Sequence, residues 1–393
     1  MKKRYFLSLL LLQLLIAGQS NAQTYVNAAA TGTNNGTSWT NAYTNLQTAI
    51  TNTTAGNEVW VAAGTYQPGL SVPFNMKEGV KVYGGFTSGM ASFSSRNYVT
   101  NVTNLIGNGV GIVAFASTIT NATILDGFKL NGNTTHAIDN TAGGSPILSN
   151  LVVSNNINST ASRGGGMTSS ATGHPVLNNV LFSGNTSVYA GGAISLSTNS
   201  VVGGGLSLTN VTFLNNSTSH PLGGGALYCN LQNSTTTGNL VMMDSVVFDG
   251  NTTSANNSGG GALYVTGNGG ETIGTQVVFV NNTATGSTFS WGGAVYAVVS
   301  NSALRLSNTL FINNSVTSPN GYGGAFSMGT NSVGNGRDTL INVTFVNNSV
   351  TGATTFKGGA VWDNSNGASA PQAMYLANCI FFILLYACKK PAR

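Results

Sequence analysis

Residues 210–216 read NVTFLNN, and variants of these seven positions return along the chain: NLVVSNN at 150–156, NVLFSGN at 179–185, SVVFDGN at 245–251, QVVFVNN at 276–282, NTLFINN at 308–314 and NVTFVNN at 342–348. The aromatic positions Phe182, Phe213, Phe248, Phe279, Phe311 and Phe345 are spaced by 31, 35, 31, 32 and 34 residues. A motif that repeats at a slightly drifting period marks a solenoid, in which each unit buries its apolar side against the next. The content decides between helical and strand units. Asn, Gly, Val and Thr are poor helix formers, whereas alternation places Val211 and Phe213 on one side of a strand and Thr212 and Leu214 on the other.

A second signature alternates with the first. It is a glycine pair followed by a small and then an apolar residue: GGGMT at 164–168, GGAI at 191–194, GGAL at 224–227 and 260–263, GGAV at 292–295, GGAF at 323–326 and GGAV at 358–361. One unit therefore parses as a GGAL strand, a loop, an LSL strand, a one-residue Asn bend, a VTF strand, an Asn-Asn bend and a Ser/Thr-rich loop. Three short strands with bends between them make one coil of an all-β, right-handed parallel β-helix. Asparagine tolerates the left-handed backbone of a sharp bend. Stacked Asn185, Asn216, Asn251, Asn282, Asn314 and Asn348 can hydrogen-bond up and down a ladder of about 4.8 Å. Each inward Phe, and the residue two before it, adds roughly 1.5–3 kcal/mol of burial. Loops leave the ladder without disturbing its register, which accounts for the uneven period.

Composition agrees. Glycine is 52 of 393 residues, about twice the usual share, only 6% of residues are charged, and 41% are hydrophobic, too many for a disordered chain. Residues 1–22, MKKRYFLSLLLLQLLIAGQSNA, read as a bacterial secretory signal, with a basic start, an apolar run too short to span a bilayer and small residues at Ser20 and Ala22. Six of the fourteen basic residues lie in the first four and last five positions, which leaves eight against nine acidic residues between 23 and 388. No basic stripe exists for phosphates, so nucleic acid is excluded as a partner. Three cysteines far apart (Cys229, Cys379, Cys388) make no disulfide framework. Packing must hold the fold.

The ends of a solenoid need covers. Residues 23–72 read as an N-terminal cap and first coil, in which Leu46, Ala49 and Ile50 have the spacing of a short amphipathic helix that plugs the stack. Coils follow over 73–381, and Phe128 with Asn131 fits the F-x-x-N spacing early. In the tail 382–393, Leu384 stands where the repeat calls for Asn. A truncated or frame-altered copy, an apolar cap and membrane contact are the alternatives for this segment.

The paired GGA-[apolar] and F-x-x-N signatures resemble the repeats of the polymorphic outer-membrane protein family. Upstream, YVNAAATGTNNGTSWTNAYTNLQTAI, VWVAAGTYQP and VKVYGGF are similar to the N-terminal region of secreted β-helix proteins of the Bacteroidetes type. Together these stretches cover nearly all of 23–381. The resemblance implies a secreted or cell-surface β-helix that is adhesive or structural and needs no cofactor. Its partners would be glycans or cell-surface proteins, with membrane association only through an outer surface or the tail. The sequence departs from both families in that neither a barrel nor a sorting domain follows.

The rival expectation is a polysaccharide lyase or hydrolase, whose chemistry needs clustered carboxylates or a Lys/Arg base. The acidic residues are Glu58, Glu78, Asp126, Asp139, Asp244, Asp249, Glu271, Asp338 and Asp363, with no D-D or D-x-D pair. Only Asp363 could approach Arg337 or Asp338 from a neighbouring coil. His136, His174 and His220 are scattered and read as loop residues rather than metal ligands. The GGG runs lack the helix and lysine of a phosphate loop. Cys229 falls inward by parity. Two outer columns remain. Beside the inward Ile194, Leu227, Leu263, Val295, Phe326 and Val361, the next residues point out: Ser195, Tyr228, Tyr264, Tyr296, Ser327 and Trp362. Tyr228, Tyr264, Tyr296 and Trp362 form an aromatic strip that either stabilises the sheet or stacks on sugar rings. Val278, Val280, Leu310, Ile312 and Val346 form an apolar stripe calling for loop cover or a partner.

Overall fold

A computed structural model describes residues 22–160, 164–170, 172–199, 203–232, 238–299, 303–330, 338–352, 354–363 and 374–382. The signal segment and the tail beyond 382 lie outside the described residues, apart from Ala22 and Phe382 at their edges. The chain is a parallel β-helix. Its described strands form a nineteen-stranded sheet of two joined ladders, a ten-stranded sheet that includes every GGA strand, and sheets of seven and four short strands.

The coil that opens at Leu227–Gln232 shows the plan. After that strand of the ten-stranded sheet come Asn239–Asp244 and Val247–Asp249 on the largest sheet, then Thr252–Thr253 and Ser258–Gly259 on the two smaller ones. Neighbouring coils pair in parallel and in register, so that Phe213, Phe248, Phe279, Phe311, Phe345 and Phe381 align. Their rings stack at 4.7 to 4.9 Å with interplanar angles below 10°. That separation is the rung spacing itself. Val180, Val211, Val246, Val277 and Val343, each two residues before a Phe, are buried beside the stack, as the alternation requires.

The asparagines divide their work in a way the repeat did not separate. The bend before each VTF-type strand is left-handed at Asn179, Asn210, Ser245, Gln276, Asn308, Asn342 and Asn378, with φ between 50° and 57°. The second bend is left-handed at the first residue of the Asn-Asn pair, such as Asn215 (φ 53°) and Asn281 (φ 57°), with Gly184 and Gly250 in the same role. The following residue is the buried ladder member. Asn185 Nδ2 donates to Asn216 Oδ1, Asn216 to Asn251, Asn251 to Asn282, Asn282 to Asn314 and Asn314 to Asn348, all at 2.9 or 3.0 Å.

Two expectations need correction. The Ser/Thr-rich segment after the ladder Asn is not a loop, because Thr186–Ser187, Ser217–Thr218, Thr252–Thr253, Thr283–Thr285 and Ser315–Thr317 pair as strands of the seven-stranded sheet. The ladder fixes the backbone entering this segment, and its second residue (Ser187, Thr218, Thr253, Ala284, Val316) is buried. The early match at Phe128 is out of step by two residues. Leu130, not Phe128, pairs with Val153, which pairs with Phe182, and Asn133 stands three residues later at the head of the asparagine ladder, donating its N–H to Asn156.

The helix Leu46–Asn52 is capped by Asn45, whose side chain accepts from the N–H of Thr48. Leu46, Ala49 and Ile50 join the main core with Val26, Val59 and Val61 of the first coils. It is the plug that the spacing predicted. At the other end Asn378 and Phe381 take their repeat positions, and Phe381 stacks on Phe345 at 4.8 Å.

Candidate functional site on the outer walls

The GGA turn shows why the tyrosines stand where they do. Gly260 has φ +65°, a conformation that L side chains rarely adopt, and a Cβ on Gly261 would lie 2.1 Å from the carbonyl oxygen of Gly293 in the next coil. Neither position accepts a side chain. Ala262 and Leu263 then enter the core, and Tyr264 turns outward. Ile194, Leu227, Val295 and Phe326 are buried in the same way, Cys229 is inward and fully buried, and burial pushes its thiol up.

Outward does not mean open. Tyr228 and Tyr264 form a separate cluster with Ala190, against which Tyr189, Leu222, Tyr296 and Val298 pack. Tyr228 is 4% exposed and Tyr264 9%. Burial raises the hydroxyl of Tyr228, pushes that of Tyr264 up to about 12 and raises that of Tyr296. Short strands that alternation did not foresee supply part of the cover: a Cβ on Gly259 would come within 2.4 Å of the Tyr296 ring. Tyr264 and Tyr296 stack at 5.0 Å, and Trp291 stacks on Tyr296 at 5.4 Å. Trp291 continues to Tyr322 at 6.1 Å and Tyr322 to Trp362 at 5.6 Å. Ser327, the register partner of both Tyr296 and Trp362, has no ring, so Tyr322 bridges the gap. Alternation does not point to Phe289, Trp291 or Tyr322, although an aromatic directly before the glycine pair in FSWGGAV and NGYGGAF marks Trp291 and Tyr322.

The second column sits as expected on the outer face of the largest sheet. Val278, Val280, Ile312 and Val346 are half-buried and Leu310 is 39% exposed.

Every acidic residue is committed to a partner within the fold. Asp126 takes Arg96 at 2.6 Å and the amide of Asn150 at 3.1 Å on both oxygens. Asp139 pairs with His136 at 3.2 Å and accepts from Thr141; burial by itself would raise it, but these bonds outweigh burial and hold the carboxyl well below the usual range. Glu58 accepts from the Trp60 ring N–H, Glu78 from Thr120 and Thr123, Asp244 from Ser245, Asp249 from Asn281 and Glu271 from Arg305. Asp363 accepts from the N–H of Met374 at 3.5 Å. Asp338 is fully buried, with the N–H of Leu304 on Oδ1 and, among the described residues, no hydrogen-bond partner on Oδ2. Burial pushes its carboxyl up to about 7, against the Leu304 N–H and with help from the charge of Asp363. No hydrogen bond joins Asp363 to Asp338 among the described residues, and Arg337 lies outside them. Asp338 is thus an acid with no exposed surface in this fold.

His136 lies beside Asp139, His174 shares a hydrogen bond of 2.9 Å with Ser207, and His220 packs on Tyr189 at 4.6 Å. Burial lowers both His174 and His220. Among the described residues no three His, Cys, Asp or Glu gather as a metal site, and no helix is long and apolar enough to cross a membrane.

Residues 179–197, 210–230 and 245–266 match the family model of the Chlamydia polymorphic membrane protein repeat. The repeats are thus similar to that family's, on a parallel β-helix. No curated protein matches the chain. Among solved structures, the family 28 exopolygalacturonase of Yersinia enterocolitica aligns over 93% of this chain and 78% of its own at 8% identity, with a TM-score of 0.23. A likeness that slight carries no argument about chemistry.

Proposed function

We propose that this chain is a secreted, surface-displayed β-helix that serves as a non-catalytic scaffold for contact with other molecules. The observation that carries this reading is the commitment of all nine carboxylates to structural partners. A general acid needs a raised pKa and access to substrate together. Asp338 has the first, but it lies inside the coil. The similarity of the repeats to those of a membrane-protein family supports a place at the cell surface, as does the secretory character of residues 1–22.

Within this proposal the aromatic strip has two parts. Tyr228 and Tyr264 stiffen the wall from beneath cover, while the half-buried Tyr296 and Trp362, with Tyr322 between them, are the part that meets a sugar. The test is a glycan array on the mature protein, run beside assays for unsaturated ends and for reducing ends. Binding without turnover supports the scaffold. Product formation overturns it.

A further inference from the structure

A groove of about 400 Å³ runs along the helix axis across four consecutive coils, and no part of the aromatic strip lines it. It lies on the other wall, over the asparagine bend of the largest sheet. Its floor and rim come from Gly127–Lys129, 150–152, 179–181, Asn210 and Thr212, and one side is a loop that carries Tyr98, Val99 and Val102. That side is firmly held. Arg96 is 7% exposed, pairs with Asp126 at 2.6 Å and lies 4.8 to 5.5 Å from the ring centroids of Tyr83, Phe93 and Tyr98. Asn97 donates its N–H to the carbonyl of Gly85. The groove is therefore a built feature of the fold.

Three properties define what would fit. The floor is apolar, because Val152 and Leu181 face outward in register with each other and are only half-buried. A polar group accompanies each coil. Asn150 and Asn179 are joined by a hydrogen bond of 2.7 Å, Asn179 also reaches the Tyr98 hydroxyl at 3.4 Å, and exposed Asn210 follows one coil on. The third property is charge. Lys129 lines one end, and the carboxylate nearest to it in sequence, Asp126, is already neutralised by Arg96. A ligand must then be linear, alternate apolar faces with hydrogen-bonding groups at about the 4.8 Å rung spacing, and bring negative charge to one end. An extended peptide advances about 3.3 Å per residue and presents the same side only every second residue, out of step with the rungs. A chain of pyranose rings advances by about one rung per ring, with C–H faces for the apolar floor and hydroxyls for the amides.

We infer that this groove binds a linear acidic oligosaccharide, with Lys129 on a carboxylate or sulfate and Tyr98, Val152 and Leu181 against the sugar faces. This deepens the scaffold proposal and rests on it, since it adds binding and no chemistry. The full mature chain is titrated by calorimetry with hexagalacturonate and a chondroitin sulfate hexasaccharide, with cellohexaose as the uncharged control. At least one acidic hexamer is expected to bind, cellohexaose at least tenfold more weakly. Lys129→Gln and Tyr98→Ala should each weaken binding about tenfold, while Lys81→Gln, on the same sheet but outside the groove, leaves it unchanged. Circular dichroism confirms that each variant is folded. The inference is overturned by absence of binding, by equal binding of cellohexaose, by indifference to both groove variants, or by loss of binding in Trp362→Ala with retention in Lys129→Gln. Turnover of a hexamer would instead sink the scaffold proposal, whatever the groove binds.

Discussion

Asn251 donates from Nδ2 to Oδ1 of Asn282 at 3.0 Å, inside the protein and one coil away. Its second amide hydrogen goes to the carbonyl of Phe213 at 2.9 Å, and its Oδ1 accepts from both the N–H and the Nδ2 of Asn216. All four hydrogen-bonding positions of the side chain are filled. Asn251→Ala strands the two donors of Asn216 and the carbonyl of Phe213 in the buried interior, and leaves Asn282 Oδ1 with the N–H of residue 251 alone, at a cost of about 2–4 kcal/mol. Asn251→Asp is expected to be worse, because a carboxylate faces two acceptors there. Urea denaturation measures both, and protection of amides in the coils around residue 251 should fall first, as stability in a stacked solenoid is local.

Phe248 is stacked between Phe213 and Phe279 at 4.8 Å on each side and is fully buried. Phe248→Ala should cost about 3–5 kcal/mol, while Phe248→Leu keeps most of the volume and costs about half as much. Thermal melts of the two variants give the ordering. Equal, small losses would mean that the Phe column does not hold the coils together.

The raised carboxyl of Asp338 makes stability depend on pH in a defined direction. Its folded pKa of about 7 lies above the unfolded value near 4. The stabilisation of the protonated form is therefore complete below about pH 4 and is lost as the pH rises through 7. Asp338→Asn removes the titration, so its stability relative to wild type should improve by roughly 2–4 kcal/mol between pH 4 and pH 8. Denaturation curves of both proteins across that range test the sign, since the buried histidines titrate alike in both.

Gly261→Ala places a Cβ 2.1 Å from the carbonyl of Gly293 and cannot be absorbed by a side-chain rotation. A loss of several kcal/mol is expected, against a smaller one of about 1–2 kcal/mol for Gly203→Ala, where a Cβ meets nothing within 4 Å and the strain of φ +95° is the only cost. Comparing the melting temperatures of the two separates crowding between coils from the cost of a left-handed backbone.

Much of this architecture could be read from residues 150–361 because each side chain in the repeat does one job in every coil. Phe213 and its equivalents stack, Asn216 and its equivalents bridge, and the glycine pair of Gly260 and Gly261 fits where nothing else does. The repeat is harder to read where the job passes to another residue type. Leu130 fills a Phe position, while Phe128, two residues away, mimics the motif. Ser217–Thr218 looks like a loop by composition, yet it becomes a strand because the ladder fixes its entry. The candidate sites were less legible still. Alternation correctly turned Tyr228 and Tyr264 out of the core, but period two along one strand carries no information about what covers it. The groove depends on Tyr98, Val99 and Val102 meeting coils some 25 to 110 residues further on, a contact that no local pattern announces.

The decisive measurement is product analysis by mass spectrometry after prolonged incubation of the purified mature chain with acidic and neutral polysaccharides. A non-catalytic β-helix leaves every chain at its starting length, with no unsaturated or newly reducing ends, including those polymers that it binds. Shortened products whose yield falls in Asp338→Asn or Asp363→Asn would contradict it and show that these carboxylates do reach a substrate.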